Sequence, residues 1–192
     1  LVLHFENAFH GRTGYTLSVT NTIPEMVKYF PKFNWPRVIS PANHYPETDE
    51  SVAHVLKHEH LAIEQAKRYF ETYKDEIACI LIEPIQAEGG DRHFRQEFHQ
   101  ELRKLADTYE ALLIYDEVQT GIGLTGKFWA HEHFVKPDII AFGKKAQVCG
   151  ILAGKRLDEV ETNCFKVSSR INSTWGGNLV DMVRFQRILE VI

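Results

Sequence analysis

The chain has 192 residues, 44% of them hydrophobic, which is enough for a domain with a buried core. A formal net charge of −4 argues against a nucleic-acid partner, and no apolar run approaches the ~20 residues of a membrane span. The three cysteines, Cys79, Cys149 and Cys164, are too few and too scattered for a disulfide framework, so a reducing cytoplasm is the expected location.

Strand-like and helix-like patterns alternate along the chain. In chain order they predict a strand at 1–5, a long connection with an insert at 15–37, a helix near 51–73, a strand near 77–82, a helix near 95–110, strands at 111–115 and 139–142, further short strands, and a closing helix at 179–192. The strand segments are continuously apolar, as expected when both faces of a sheet are covered. We therefore expect an α/β fold with a mostly parallel sheet flanked by helices.

Charged residues follow two of these strands. Asp116 comes directly after the strand at 111–115, and Lys144 closely follows the strand at 139–142. Side chains just past parallel strands point into a ligand crevice, and unpaired charges are costly to bury. The two residues predict a cofactor held between the strand ends. The alternative for each residue alone is a strand-end cap or a solvated lysine.

The segment from Asp116 to Lys144 resembles the core of the class III aminotransferases, which are pyridoxal phosphate enzymes of fold type I. The matching residues are Asp116, Glu117, Gly121, Pro137, Asp138, Gly143 and Lys144. The resemblance implies that residues 1–192 are part of the family's large cofactor-binding domain. The family's amino-terminal arm, phosphate loop and carboxy-terminal small domain have no counterpart here, so we expect an internal fragment.

The resemblance also implies roles for three residues. Lys144 would hold pyridoxal phosphate as a Schiff base and later act as a general base. Asp116 would lie beside the ring nitrogen, because a nearby carboxylate favours the protonated ring that withdraws electrons. Gln119 would form a hydrogen bond with the phenolic oxygen of the cofactor.

Two upstream motifs extend the resemblance. The segment Glu83–Gly90 looks like the family turn in which Glu88 acts as a gate, pairing with an arginine that lies far along the chain and releasing it for 2-oxoglutarate. In the segment Ala8–Arg12, Phe9 would stack on the cofactor ring, and Arg12 would grip the substrate α-carboxylate. The alternatives are a solvated loop carboxylate for Glu88 and a surface arginine for Arg12.

The polar, glycine-rich segment Ser169–Asn178 matches a fourth family motif. By resemblance, Thr174 reaches the cofactor phosphate of a second subunit. Ser173, as a cofactor-binding residue, and Asn172, as a substrate-binding residue, would line the same shared cavity. This implies a homodimer with two composite active sites. The alternative is a capped loop leading into the final helix.

Three strings resemble the branch of the family that acts on the ε-amine of L-lysine: Phe30–Arg37, Gly143–Gly150 and Ser169–Asn178. The implied reaction transfers that amine to 2-oxoglutarate and gives 2-aminoadipate 6-semialdehyde and glutamate. One alternative is another ω-aminotransferase, with ornithine, 4-aminobutyrate or a diamine as donor. A second is a fragment without catalysis that serves only as an interaction surface.

Ten histidines invite a metal-binding interpretation, especially in the triplets His58-Glu59-His60 and His131-Glu132-His133. On a helix, residues two apart point to different sides, so neither triplet places two ligands on one face. We therefore expect no metal site.

Overall fold

A computed structural model describes residues 1–171 and 173–192 of the chain. Its eight strands are β1 (Val2–Phe5), β2 (Arg37–Val38), β3 (Cys79–Ile82), β4 (Ile85–Gln86), β5 (Arg92–His93), β6 (Leu112–Asp116), β7 (Ile139–Phe142) and β8 (Gly150–Ala153). Six form one sheet in the order β2-β1-β3-β6-β7-β8, in which only β8 is antiparallel to its neighbour. The predicted, mostly parallel sheet is thereby confirmed. Strands β4 and β5 form a separate antiparallel pair.

The helices are α1 (Gly14–Val19), α2 (Pro24–Val27), α3 (Asp49–Thr72), α4 (Gln96–Thr108) and α5 (Leu179–Val191). Helix α3 begins two residues earlier than predicted because Thr48 and Ser51 form a reciprocal capping box, with two acidic residues in the first turn. Short 3₁₀ turns cover residues 130–133, 144–146 and 155–159. Within the described residues, no helix is long and apolar enough to cross a membrane.

Helices α3 and α4 contribute to the main hydrophobic core together with the central strands. On α4, the spacing of Phe98, Leu102 and Leu105 predicts one buried face, and all three side chains are buried. Tyr109, predicted on the same face, is partly buried and stacks on Phe70 of α3. Because β2, β1, β3, β6 and β7 pair in parallel, their carboxyl ends share one edge of the sheet.

Helix α5 differs from its sequence pattern. The apolar spacing predicts a buried face, yet none of its residues is buried within this chain. Its contact with the sheet runs through Phe185, whose ring stacks on Phe142 at a centroid distance of 5.5 Å. Met182 and Leu189, predicted on the same face, are exposed. The spacing of apolar residues shows which face of the helix is apolar. Whether another element packs on that face depends on the tertiary structure.

Candidate active site

Four loops meet at the carboxyl edge of the sheet. They follow β1, β3, β6 and β7, which are consecutive parallel neighbours, so their ends necessarily lie side by side. The loops enclose a cavity of about 120 Å³. Its lining consists of Phe9, His10, Gly11, Glu83, Glu88, Asp116, Val118, Gln119 and Lys144. The structure thus brings five predicted site residues, Phe9, Glu88, Asp116, Gln119 and Lys144, around one space.

Asp116 is held in place at the end of β6. Its Oδ2 lies 2.8 Å from Nδ1 of His10, and its Oδ1 accepts a hydrogen bond from the Val118 backbone N–H at 3.1 Å. The His10 side chain is only 2% exposed. The carboxyl group therefore faces the cavity with its orientation set from two sides.

Lys144 begins the 3₁₀ turn after β7 and adopts a φ of +34°. Non-glycine residues rarely occupy this left-handed region, and such strain is concentrated at functional sites. The Lys144 amine donates a hydrogen bond to the side-chain oxygen of Gln119, while the neighbouring Lys145 amine donates to the Gln119 backbone carbonyl. Burial and the charge of Lys144 lower the pKa of Lys145. Of the two amines, only that of Lys144 lines the cavity.

Phe9 is fixed through its backbone. Its N–H donates to Oε1 of Glu83 at 2.8 Å, which joins residues 74 positions apart in the chain. Glu83 is 5% exposed, and this burial raises the pKa of its carboxyl group to about 7. The charge of His10 and hydrogen bonds from the Phe9 and Ala87 backbones act in the opposite direction.

Two of the three predicted substrate residues, Glu88 and Arg12, occupy different positions. Glu88 is exposed in the loop after β3 and lines the cavity, and within the described part of the chain it makes no ion pair. Arg12 is exposed and does not line the cavity, although the preceding Gly11 does. Glu88 therefore faces the cavity and Arg12 lies beside a residue that lines it, while the roles of gate and clamp stay predictions.

The motif at 169–178 lies on the other side of Lys144. Lys144 also borders a wider hollow lined by Trp175, Gly176, Gly177 and Asn178. Ser173 and Thr174 are exposed and line neither space, so their assignment to a shared phosphate site stays a prediction. Asn172, predicted to bind substrate, lies outside the described residues.

Three other motif residues have structural roles. Glu117 is buried, and its carboxylate accepts the backbone N–H groups of Ala130 and His131 at 2.6 and 2.9 Å. Gly121 lies against Trp129, since a Cβ there would be 3.0 Å from the indole ring. Asp138, which directly precedes β7, accepts a hydrogen bond from the Leu113 backbone N–H of β6 at 2.8 Å and so connects the two strands. These residues shape the loops that carry Asp116, Gln119 and Lys144.

The sequence motifs contain two polar cavity residues to which they assign no role, His10 and Glu83. Both are polar, both follow an apolar strand, and both prove to be buried. For Glu83, its position directly after a buried strand was a usable signal, whereas His10 lies five residues beyond β1 and had no such signal. Their partners could not be identified in the same way, because Asp116 is 106 positions from His10.

A parallel sheet whose carboxyl edge presents an aromatic ring, a carboxylate and a lysine around one cavity is typical of a cofactor-dependent transferase. Consistent with this class, the class-III aminotransferase family matches residues 1–192, and the chain belongs to that family.

The chain is 59% identical over 192 residues to the L-lysine-epsilon aminotransferase of Mycobacterium bovis, covering 100% of this chain and 42% of that protein. The solved structure of a lysine aminotransferase from M. tuberculosis in the internal aldimine form matches with a TM-score of 0.93 and 58% identity, covering 100% of this chain and 43% of that one. A 4-aminobutyrate aminotransferase of Emericella nidulans is 36% identical over 194 residues, covering 100% of this chain and 38% of its own length. The chain thus spans less than half the length of these proteins.

Proposed function

We propose that this chain carries the cofactor and amine-donor site of an aminotransferase that uses pyridoxal phosphate. The reaction transfers the ε-amino group of L-lysine to 2-oxoglutarate, giving 2-aminoadipate 6-semialdehyde and glutamate. The main support is the single cavity in which Phe9, Asp116, Gln119 and Lys144 meet, in a chain with 59% identity to an L-lysine-epsilon aminotransferase.

The side chains that line the cavity fit the ring of pyridoxal phosphate, because they include an amine, a carboxylate, an aromatic ring and an amide oxygen. Bound there, the cofactor supplies an electron sink for the carbon next to the reacting nitrogen. Lys144 would hold it covalently through its amine, and Asp116 would pair with the protonated ring nitrogen. Phe9 would cover one face of the ring, and Gln119 would bind the phenolic oxygen. His10 would keep the Asp116 carboxylate turned toward the ring.

Substrate selection would depend on the opening of this cavity. Arg12 presents a planar set of donors suited to a carboxylate, and it would hold the α-carboxylate of lysine so that the ε-amine points inward. While lysine is bound, Glu88 would pair with an arginine that lies far along the chain. When 2-oxoglutarate enters, Glu88 would release that arginine to bind it. After the exchange, the Lys144 amine would move a proton between substrate carbon and cofactor.

The assignment of Lys144 has a matched control in Lys145. The full-length protein, loaded with pyridoxal phosphate and reduced with borohydride, is expected to carry the cofactor on Lys144 in a peptide map. Lys145→Ala should keep this label and the visible absorption band, because Lys145 does not line the cavity. Lys144→Ala should lose both. A label that survives in Lys144→Ala would refute the assignment.

The donor is tested by absorption spectra of the loaded full-length protein. Addition of L-lysine alone should remove the visible band, and 2-oxoglutarate should restore it. Ornithine, 4-aminobutyrate and diamines are run in parallel. A band that responds to one of these and not to lysine would replace the donor while keeping the reaction class.

The role of Arg12 is tested with two amines of equal chain length. Cadaverine is lysine without its carboxylate, so it cannot use a carboxylate clamp. Arg12→Ala should raise the KM for lysine by roughly a hundredfold, the worth of a charge-assisted bidentate contact, and should leave cadaverine unchanged. Equal losses for both amines would contradict the clamp.

We further propose a homodimer in which Thr174 and Ser173 bind the phosphate of the partner's cofactor, with Asn172 in the same cavity. Two defective variants, Lys144→Ala and Thr174→Ala, then complement each other, since a mixed dimer has one intact site. Random mixing should restore about a quarter of the wild-type sites. No recovery after mixing would indicate that each site is complete within one subunit.

A cytoplasmic location is also proposed. It is supported by Cys79, Cys149 and Cys164, which are all free thiols in the described residues. Cell fractionation with an antibody against the full-length protein tests this location.

A further inference from the structure

Glu83 is a cavity residue that the proposed function does not use. It follows β3 directly, and only 5% of its surface is exposed. A carboxyl group at such a buried position needs hydrogen-bond partners. Oε1 accepts the Phe9 backbone N–H at 2.8 Å. Glu83 thus connects the end of β3 with the loop that carries the aromatic ring of the site.

Two loops meet at this contact. We call residues 6–12 the aromatic loop and residues 83–90 the acidic turn, since the latter carries Glu88. Gln86 Nε2 donates to the Glu6 carbonyl at 2.8 Å, and a Cβ on Gly89 would lie only 2.1 Å from the Asn7 carbonyl oxygen. The loops are therefore in close contact, and of these fastening residues only Glu83 lines the cavity.

The aromatic loop is held at two consecutive residues. Glu83 holds the Phe9 amide, while Asp116 holds the His10 ring at 2.8 Å. The two carboxyl groups lie after β3 and at the end of β6, which are paired in the sheet. Phe9 is thus fixed relative to Asp116 by hydrogen bonds as well as by the chain.

We propose that Glu83 is a positioning residue that fixes the Phe9 ring over the cavity and joins the aromatic loop to the acidic turn. This inference rests on the proposed function for its consequence, which is tight binding of pyridoxal phosphate. Glu83 acts through the Phe9 backbone.

The test uses three Glu83 variants of the full-length protein. Glu83→Ala removes the acceptor, Glu83→Met removes it while filling the space, and Glu83→Gln keeps an acceptor oxygen. Glu132→Ala is the matched control. The Glu132 carboxylate accepts a backbone N–H, that of Trp129, also at 2.8 Å, but it lies outside the cavity.

The first measurement is hydrogen exchange at the Phe9 amide without cofactor. Loss of the acceptor should speed exchange about tenfold in Glu83→Ala and Glu83→Met, whereas Glu83→Gln should stay near wild type. Glu132→Ala should leave the Phe9 amide unchanged. Unchanged exchange in both acceptor-free variants would overturn the inference. If Glu83→Ala does not fold, Glu83→Met decides.

The second measurement is the dissociation constant for pyridoxal phosphate, from the quenching of intrinsic fluorescence. It should rise about tenfold in the acceptor-free variants and be restored in Glu83→Gln. Faster Phe9 exchange with unchanged cofactor affinity would overturn the positioning role. Because neither readout uses an amine donor, a wrong choice of lysine as substrate would be detected separately and would leave this inference standing.

Discussion

The buried Glu83 carboxyl predicts a stability difference that depends on pH. Burial raises its pKa from 4.5 to about 7. Between these two values the native state keeps a proton that the unfolded chain has released, so native stability falls as the pH rises. Above pH 7 the free energy of unfolding has fallen by about 3 kcal/mol, because each unit of pKa difference corresponds to ~1.4 kcal/mol.

Glutamine keeps the acceptor for the Phe9 N–H and cannot ionise. Glu83→Gln should therefore exceed the stability of wild type by less than about 1 kcal/mol near pH 5 and by up to about 3 kcal/mol at pH 8. The assay is the melting temperature of the apo full-length protein from pH 5 to 8.5, in which the more stable native state melts at the higher temperature. The control Glu132→Gln changes an exposed carboxyl and should show no such trend. A difference between Glu83→Gln and wild type that stays constant over this range would refute the reasoning.

Three further outcomes are expected. Asp116→Asn should bind pyridoxal phosphate yet lower the transamination rate at least a hundredfold, because the ring nitrogen loses its anionic partner; a steady-state rate within tenfold of wild type would contradict this role. Gly89→Ala should destabilise the protein by about 1–3 kcal/mol in urea unfolding, because the new Cβ would meet the Asn7 carbonyl at 2.1 Å; unchanged stability would mean that the loops separate freely. Tyr115→Phe should lose about 1–3 kcal/mol by the same measurement, because the buried hydroxyl lies 2.7 Å from Nδ1 of His99; a gain would show that this contact is unfavourable.

Much of the strand and helix arrangement was predictable because it depends on the local pattern of apolar and polar residues. Short apolar segments predicted β6 and β7, and the charged residues that follow them predicted Asp116 and Lys144 at the edge of the sheet. Element boundaries were less accurate. Strand β3 begins at Cys79, two residues later than predicted, because only residues paired with β1 and β6 belong to the ladder.

The contacts within the site were not predictable from local pattern. Gln119 was identified, but its contacts with the amines of both Lys144 and Lys145 depend on how the loops after β6 and β7 turn. Glu83 was part of a motif without a role, because its partner Phe9 belongs to another loop.

The sequence by itself determined the chain order of the longer strands and helices, the apolar faces, and the chemical types of the residues at the strand ends. These properties follow from side-chain periodicity and from the position of each polar residue along the chain. Only the tertiary structure decided that Glu83 holds Phe9 and that Asp116 holds His10. Such hydrogen bonds join residues 74 and 106 positions apart, and their geometry exists only after parallel pairing has brought the four strand ends to one edge.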